Sequence, residues 1–340
     1  MVDFSEQIEG AEADFVAQAQ SVATAIAGAG RIGGVRVNNG RVTLSLDVSG
    51  LDPAARDAIA EQVRGGVAAI AGVGEVRIAM TASKRERLLI AVGSGKGGVG
   101  KSTLTTNLAI ALAQMGRKVG VVDADIYGPS QPRLLGREDA RPIADGDKLV
   151  PVMTPHGIPL LSMGQLAKPG QAIAWRGPMA GRALEQLVNA HWGDVDLLLV
   201  DLPPGTGDIQ LSMLAKFKPA GAVIISTPQD LALIDAARAI DLFNQSQVPL
   251  IGMVENMAGY ACPHCGEISD PFGIGGAETE AKSLGLAFLG RVPLDRSIRM
   301  ASDAGVPPMV QGGTLAEPFR AIAERLDRWI GEQVQGVRAR

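Results

Sequence analysis

Eight consecutive residues, Gly95-Lys-Gly-Gly-Val-Gly-Lys-Ser102, have the types and spacing to hold phosphate. They fit the pattern G-x-x-x-x-G-K-[ST], read in its required setting between a buried strand and a helix. Gly95, Gly97, Gly98 and Gly100 let backbone N–H groups converge on phosphate oxygens without interference from Cβ atoms. A helix opening near Lys101 adds the positive end of its dipole. In that geometry Lys101 reaches the β- and γ-phosphates of a nucleotide and Ser102 ligates Mg²⁺. Lys96 and Val99 complete the loop, and Thr103 follows it directly.

Two carboxylate segments accompany this loop. Val121-Val-Asp123-Ala-Asp125 ends one apolar run and enters Ile126-Tyr-Gly-Pro-Ser130. Leu197-Leu-Leu-Val-Asp201 ends another and is followed by Leu202-Pro-Pro-Gly-Thr-Gly-Asp208. An aspartate at the tip of a buried strand beside a phosphate loop can hold Mg²⁺ through water. Taken singly, each could also be a helix cap or a turn residue; the two segments together weaken that reading.

A third constellation is Tyr260-Ala-Cys262-Pro-His-Cys265-Gly266, which contains both cysteines of the chain. The spacing lets two sulfurs bind one metal, as half of a zinc or iron–sulfur site. Four thiolates require a second chain, or an added ligand such as His264; two copies of the pair on a two-fold axis supply all four. A bridging cluster, a zinc site and a redox disulfide are all open to such a pair. The following Asp270-Pro-Phe-Gly-Ile-Gly-Gly276 reads as a loop, unlike the helix start at which thioredoxin-type oxidants place a C-x-x-C. His156 and His191 are isolated and read as surface or capping residues.

The elements that position these groups are an α/β alternation. Short apolar runs at 88–92, 119–122, 197–200, 222–226 and 250–254 are separated by helical stretches. That pattern predicts a mostly parallel sheet with helices on both faces and ligands at the carboxyl ends of its strands. Residues 1–82 read as a small α/β unit. It has a hairpin turning at Asn39-Gly40, a helix from Pro53 to Ala71 capped by Asp52, and a strand from Glu75 to Thr81. Residues 83–87 form a charged linker, and 88–340 form the second domain.

Composition narrows the function classes. Apolar residues make up 46% and charged residues 20%, which excludes disorder as the main state. Lys and Arg number 32 against 36 Asp and Glu, a net charge of −4, so a general affinity for nucleic acid is not expected. The acidic start MVDFSEQIEGAEADF lacks the pattern of a secretory signal, and no apolar run is long enough to span a bilayer. A cytoplasmic protein is the expectation, with no membrane and no nucleic-acid partner.

Taken in order, Gly95–Ser102, Asp123–Ser130, Trp175-Arg-Gly-Pro-Met179, Asp201–Asp208 and the segment from Glu255 to Gly276 resemble the Mrp/ApbC iron–sulfur cluster carrier ATPases over roughly residues 88–310. The second lysine, Lys96, is similar to the signature of the deviant phosphate-loop ATPases, which also include the Min and Par positioning ATPases and the nitrogenase iron protein. The resemblance implies several roles. Lys96 reaches a partner subunit's nucleotide, Asp123 and Asp201 stand on the Mg²⁺ side, and Asp125 lies near the attacking water. The stretch after Asp201 senses the γ-phosphate. Asn256 bonds adenine, and Pro293-Leu-Asp295 covers the base. It further implies ATP and Mg²⁺ as ligands, slow hydrolysis catalysed with Lys96, Lys101 and Asp125, and a homodimer. It also implies a [4Fe–4S] cluster bridging two Cys262/Cys265 pairs, with apo iron–sulfur clients and assembly machinery as partners. The N-terminal unit resembles MIP18-type assembly factors; it lacks a cysteine after its second strand, where Val48-Ser-Gly-Leu-Asp-Pro53 stands, which points to docking.

Three other readings fit parts of this pattern: a Min/Par-type positioning ATPase, a reductase like the nitrogenase iron protein, and a nucleotide-dependent zinc-bridged scaffold without turnover. The first needs a basic amphipathic terminal helix. Residues 314–334 do place Leu315, Phe319, Ile322, Leu326, Trp329 and Ile330 at helical spacing. Their polar face mixes Glu317, Glu324 and Asp327 with Arg320, Arg325 and Arg328, which favours packing on the domain.

Overall fold

The structure is a computed structural model and describes residues 4–38, 40–49, 51, 53–81, 87–166 and 177–338. Asn39, Asp52, residues 83–86 of the charged linker and Trp175-Arg176 lie outside the described residues. The chain divides into two compact units, Met1–Glu86 and Arg87–Arg340.

The first unit runs α1 (Phe4–Ala27), β1 (Ile32–Asn38), β2 (Arg41–Asp47), α2 (Pro53–Ala68) and β3 (Glu75–Thr81). β1 pairs antiparallel and β3 parallel with the central β2. Val42, Leu44 and Leu46 alternate along β2 and are buried with Ala19 and Ala23 of α1 and Val63 and Val67 of α2. α1 is not among the elements expected from the sequence, yet its inner face, Phe15, Val16, Ala19, Val22, Ala23, Ile26 and Ala27, repeats at helical spacing. α2 closes at Ala68 rather than Ala71, and the chain turns through Gly72 at φ 92°.

The second unit opens with β4 (Leu88–Gly93), α3 (Lys101–Gln114), β5 (Val119–Asp123) and α4 (Gln131–Leu134). A hairpin of β6 (Ile143–Asp145) and β7 (Lys148–Val150) leads to β8 (Val152–Met153), β9 (Pro159–Ser162) and α5 (Gly177–Val188). Then come β10 (Leu197–Asp201), α6 (Asp208–Phe217), β11 (Gly221–Ser226), α7 (Asp230–Gln245) and β12 (Leu250–Asn256). The chain ends with β13 (Tyr260–Ala261), β14 (Ile268–Ser269), α8 (Gly276–Ser283), β15 (Phe288–Val292), α9 (Arg296–Asp303), α10 (Pro308–Gln311) and α11 (Glu317–Arg338).

Eight strands form one sheet in the order β15-β12-β11-β4-β10-β5-β9-β8. All neighbours pair parallel except β8 with β9. Successive residues of each strand serve opposite faces. Leu197 and Leu199 join α3 and α11 on one side; Leu198 and Val200 join α5, α6 and α7 on the other. The sheet thus has a core on each face, as the alternating pattern predicts.

The apolar stripe of α11 is spent in this core. Phe319, Ile322, Leu326 and Ile330 are buried against the sheet, and Leu315 and Trp329 pack beside them. Arg325 of the same helix donates to the carbonyls of Phe288 and Leu289, and Arg117 pairs with Asp327 at 2.7 Å. No helix among the described residues is long and apolar enough to cross a membrane.

Candidate nucleotide site and cysteine hairpin

β4, at the middle of the sheet, delivers the chain at Gly93 into the phosphate loop, and α3 begins at Lys101. Gly98 and Gly100 are left-handed, at φ 80° and 88°, a conformation that glycine adopts without strain. Gly95 serves close approach instead: a Cβ there would collide with the backbone of Asp235 and Ala236 on α7. Lys96 is half-buried and makes no ion pair among the described residues. The segment after β10 is tied to the loop, since the Gly205 N–H donates to the Ser94 carbonyl at 3.0 Å.

Asp123 and Asp201 are in register at the tips of neighbouring strands β5 and β10, which brings the two carboxylates together. Lys101 Nζ donates to Asp201 Oδ1 at 2.6 Å and stands 3.9 Å from Asp125 Oδ2. Asp201 also accepts from Thr105 at 3.3 Å and from Gln131 Nε2 at 2.9 Å. Asp123 accepts from the backbone N–H groups of Asp125 and Gln131 and from the Ser162 hydroxyl. Asp125 Oδ1 is held by the N–H groups of Tyr127 and Gly128, which aims Oδ2 toward Lys101. Ser102 lies beside this group, its hydroxyl 3.4 Å from Lys101 Nζ.

Three buried carboxylates here face one buried ammonium. Burial, and then the charge of Asp201, push the Asp123 carboxyl up to about 7. Such a site is short of positive charge and would attract a cation carried in with a nucleotide's phosphates; among the described residues no three His, Cys, Asp or Glu side chains are placed to hold a metal ion by themselves. Gln131 is a central member that the motif reading passed over. It bonds Thr106, the Ser102 carbonyl and Asp201 with its side chain and Asp123 with its N–H. Its position directly after Ser130, at the start of a short helix leaving the Asp125 segment, was the available signal. Ser162 arrives from β9, which no motif marked.

Asn256, Pro293 and Asp295 line a cavity of about 230 Å³ with Gly100, Thr103, Met257, Leu294 and Phe319. It opens beside the phosphate loop, where the base of a loop-bound nucleotide can lie. Asn256 Nδ2 donates to the Val99 carbonyl at 2.7 Å, and the missing Cβ of Gly100 leaves room for that amide. Asp295 also caps α9, accepting from the Ser297 N–H at 2.6 Å.

The cysteines lie on a hairpin, and residues 270–275 that follow it run as turns and bends up to α8, in keeping with the loop expected there. β13 and β14 pair antiparallel, and Cys262-Pro-His-Cys265 forms the turn between them. The Cys262 N–H donates to the Glu267 carbonyl at 2.9 Å and the Gly266 N–H to the Cys262 carbonyl at 2.8 Å. Cys262 is half-buried and Cys265 exposed, both as free thiols. Hydrogen bonds from the backbone N–H of Cys265, then from that of His264, hold the Cys262 thiol below its ordinary pKa. The turn therefore favours a thiolate, the form that binds metal. Glu255, fully buried, fastens the far end of the excursion by accepting from the N–H groups of Gly275 and Ala277 and from Arg291.

Comparison with known proteins agrees with this architecture. An iron–sulfur cluster carrier protein of Methanococcus maripaludis is 47% identical over 236 residues, which are 68% of this chain and 82% of that one. The protein of the same name from Escherichia coli is 46% identical over 255 residues, 73% of this chain and 69% of that one. A solved nucleotide-binding protein from Archaeoglobus fulgidus, in complex with ADP, is 41% identical. It superposes with a TM-score of 0.59 over 68% of this chain and 91% of its own. The septum site-determining protein MinD of Pyrococcus horikoshii, with Mg-ADP, is 25% identical, with a TM-score of 0.54 over 72% of this chain and 98% of its own. A family profile described as NUBPL iron-transfer P-loop NTPase matches residues 86–327. The chain belongs to that family of P-loop NTPases.

Proposed function

We propose that this protein binds iron–sulfur clusters and transfers them to apo-proteins, coupled to ATP binding and hydrolysis in a homodimer. The observation that carries the reading is the exposed Cys262/Cys265 turn on an excursion from β12, whose last residue, Asn256, bonds the phosphate loop. Two thiolates per chain make half of a four-thiolate set, so the cargo, a [4Fe–4S] cluster, lies between two copies. Apolar exposure supports a partner copy on this side. Leu231 and Ile234 stand on one face at the start of α7, and Ile268 and Ile274 flank the cysteine turn, all exposed.

In the ATPase cycle, Lys101 exchanges Asp201 for the β- and γ-phosphates. Ser102, Asp123 and Asp201 would hold Mg²⁺, which would neutralise charge on the β- and γ-phosphates, and Asp125 orients the attacking water. Lys96, with no partner in its own unit's ion pairs, reaches the second subunit's nucleotide. Asn256, Pro293 and Asp295 receive the adenine. The segment 202–208, tied to Ser94, reports the γ-phosphate to the dimer interface. A nucleotide switches the dimer only if it binds the two geometries with different affinity. Residues 1–82 form the MIP18-like docking unit. Two free cysteines suit a reducing cytoplasm.

Anaerobic reconstitution tests this reading. About four iron and four sulfide per dimer, lost in Cys262→Ala/Cys265→Ala, is the expected result. Zinc alone defeats it and leaves the zinc-bridged scaffold; metal retained in the double variant defeats it and leaves an ATPase whose metal sits away from the cysteines. The positioning-ATPase reading is weaker on structural grounds, because the α11 stripe it needs for a membrane is buried.

A further inference from the structure

The cavity beside Asn256 and the cysteine hairpin share a wall. Met257, Val292, Pro293 and Leu294 line the cavity. The same stretch holds the root of the hairpin. The Ala258 N–H donates to the Val292 carbonyl at 3.0 Å, and the Leu294 N–H donates to the Gly259 carbonyl at 2.9 Å. Between Asn256 and Ala258, Met257 is left-handed at φ 58°, a conformation that a non-glycine residue holds only when its surroundings fix it. At the other end, Glu255 grips Gly275 and Ala277 at 3.2 and 2.9 Å. The whole excursion from Ala258 to Gly275 is thus fastened to two consecutive residues of β12 and to the cavity wall. Among the hydrogen bonds of the described residues, the phosphate loop reaches this assembly through the side chain of Asn256, which bonds the Val99 carbonyl.

We propose that the paired stretches Met257–Gly259 and Val292–Leu294 couple occupancy of the base cavity to the geometry of Cys262 and Cys265, with Met257 as the positioning residue. A base entering the cavity presses on Met257 and Leu294, and their backbone bonds carry the displacement into the hairpin root. The inference rests on the nucleotide-dependent carrier reading and specifies it: the cysteines sense the base, and the phosphates alone do not move them. A ligand shifts an equilibrium only through contacts that differ between the two states, and this wall supplies them. By linkage, whatever holds the two thiols changes the affinity for the base-bearing nucleotide by the same factor.

The test uses the full chain, reduced and metal-free. The alkylation rate of the cysteine pair by iodoacetamide is measured without ligand, with Mg-ADP, and with Mg-tripolyphosphate, which fills the phosphate loop but has no base. Calorimetry fixes saturation by each. Mg-ADP is expected to change the rate about fivefold or more, with tripolyphosphate leaving it within about twofold of the free protein. Met257→Gly, measured at ADP saturating for that variant, should narrow the ADP effect to about twofold or less. The inference is overturned if bound ADP leaves the wild-type rate unchanged, or if tripolyphosphate reproduces the ADP effect; the carrier reading survives either result. Failure of ADP to bind overturns both.

Discussion

Asn256 donates its side-chain amide to the carbonyl of Val99 at 2.7 Å, which sets the end of β12 on the phosphate loop. The contact exists because residue 100 is glycine. Asn256 and Gly100 both border the cavity that a base would enter, so the nucleotide-free protein already joins the two ends of its candidate site.

Gly100→Ala is expected to break this arrangement twice over. The added Cβ lands on the Asn256 amide, and φ 88° is a strained conformation for alanine. A loss of about 1–3 kcal/mol in thermal or denaturant unfolding is expected from the backbone alone. Nucleotide affinity, read by calorimetry, should fall with it. An unchanged melting curve would show that the loop relaxes freely.

Lys101→Met should destabilise the nucleotide-free protein as well as abolish phosphate binding. Asp201 would lose its 2.6 Å ion pair while remaining fully buried. Removing one partner of a buried pair costs about 3–5 kcal/mol. Lys101→Met/Asp201→Leu should regain most of that stability without regaining nucleotide. Denaturant unfolding of the single and double variants decides the matter.

Asp123 gives the ATPase unit a pH dependence. Its carboxyl, ordinarily near 3.8, is pushed up to about 7, so between those values the folded state holds a proton that the unfolded chain has released. The contribution of this group to stability therefore falls as pH rises through that window and levels off above it. The metal-free protein should unfold at lower urea near about pH 8 than near about pH 5.5, and Asp123→Asn should flatten the difference. A slope unaltered by the substitution would assign the effect elsewhere.

Cys262 should titrate below an ordinary thiol in the metal-free protein. In a Cys265→Ala background its backbone donors, the N–H groups of residues 265 and 264, remain. The pH midpoint of its alkylation should still lie below that of free cysteine measured alongside. A midpoint equal to that of free cysteine would mean that the turn does not persist in solution.

The sheet is legible in the sequence, and so are the segments that carry the candidate chemistry. Runs such as Leu197–Val200 are apolar at every position because both faces of a parallel strand are covered, and that continuity is local information. The phosphate loop and the C-x-x-C turn are equally local, since their geometry follows from glycine φ freedom and short spacing. Whatever depended on chain segments far apart had to wait for the fold. Gln131 and Ser162 reach Asp201 and Asp123 only because α4 begins and β9 ends beside those strand tips. The pairing of Val292 and Leu294 with the root of the cysteine hairpin is likewise a product of sheet order, in which β15 lies next to β12. The α1 helix is a different case: Phe15, Val16, Ala19, Val22, Ala23, Ile26 and Ala27 recur at helical spacing, so its amphipathic face was present in the sequence. Residue types fix which groups can act; hydrogen bonds between distant segments decide which of them act on one another.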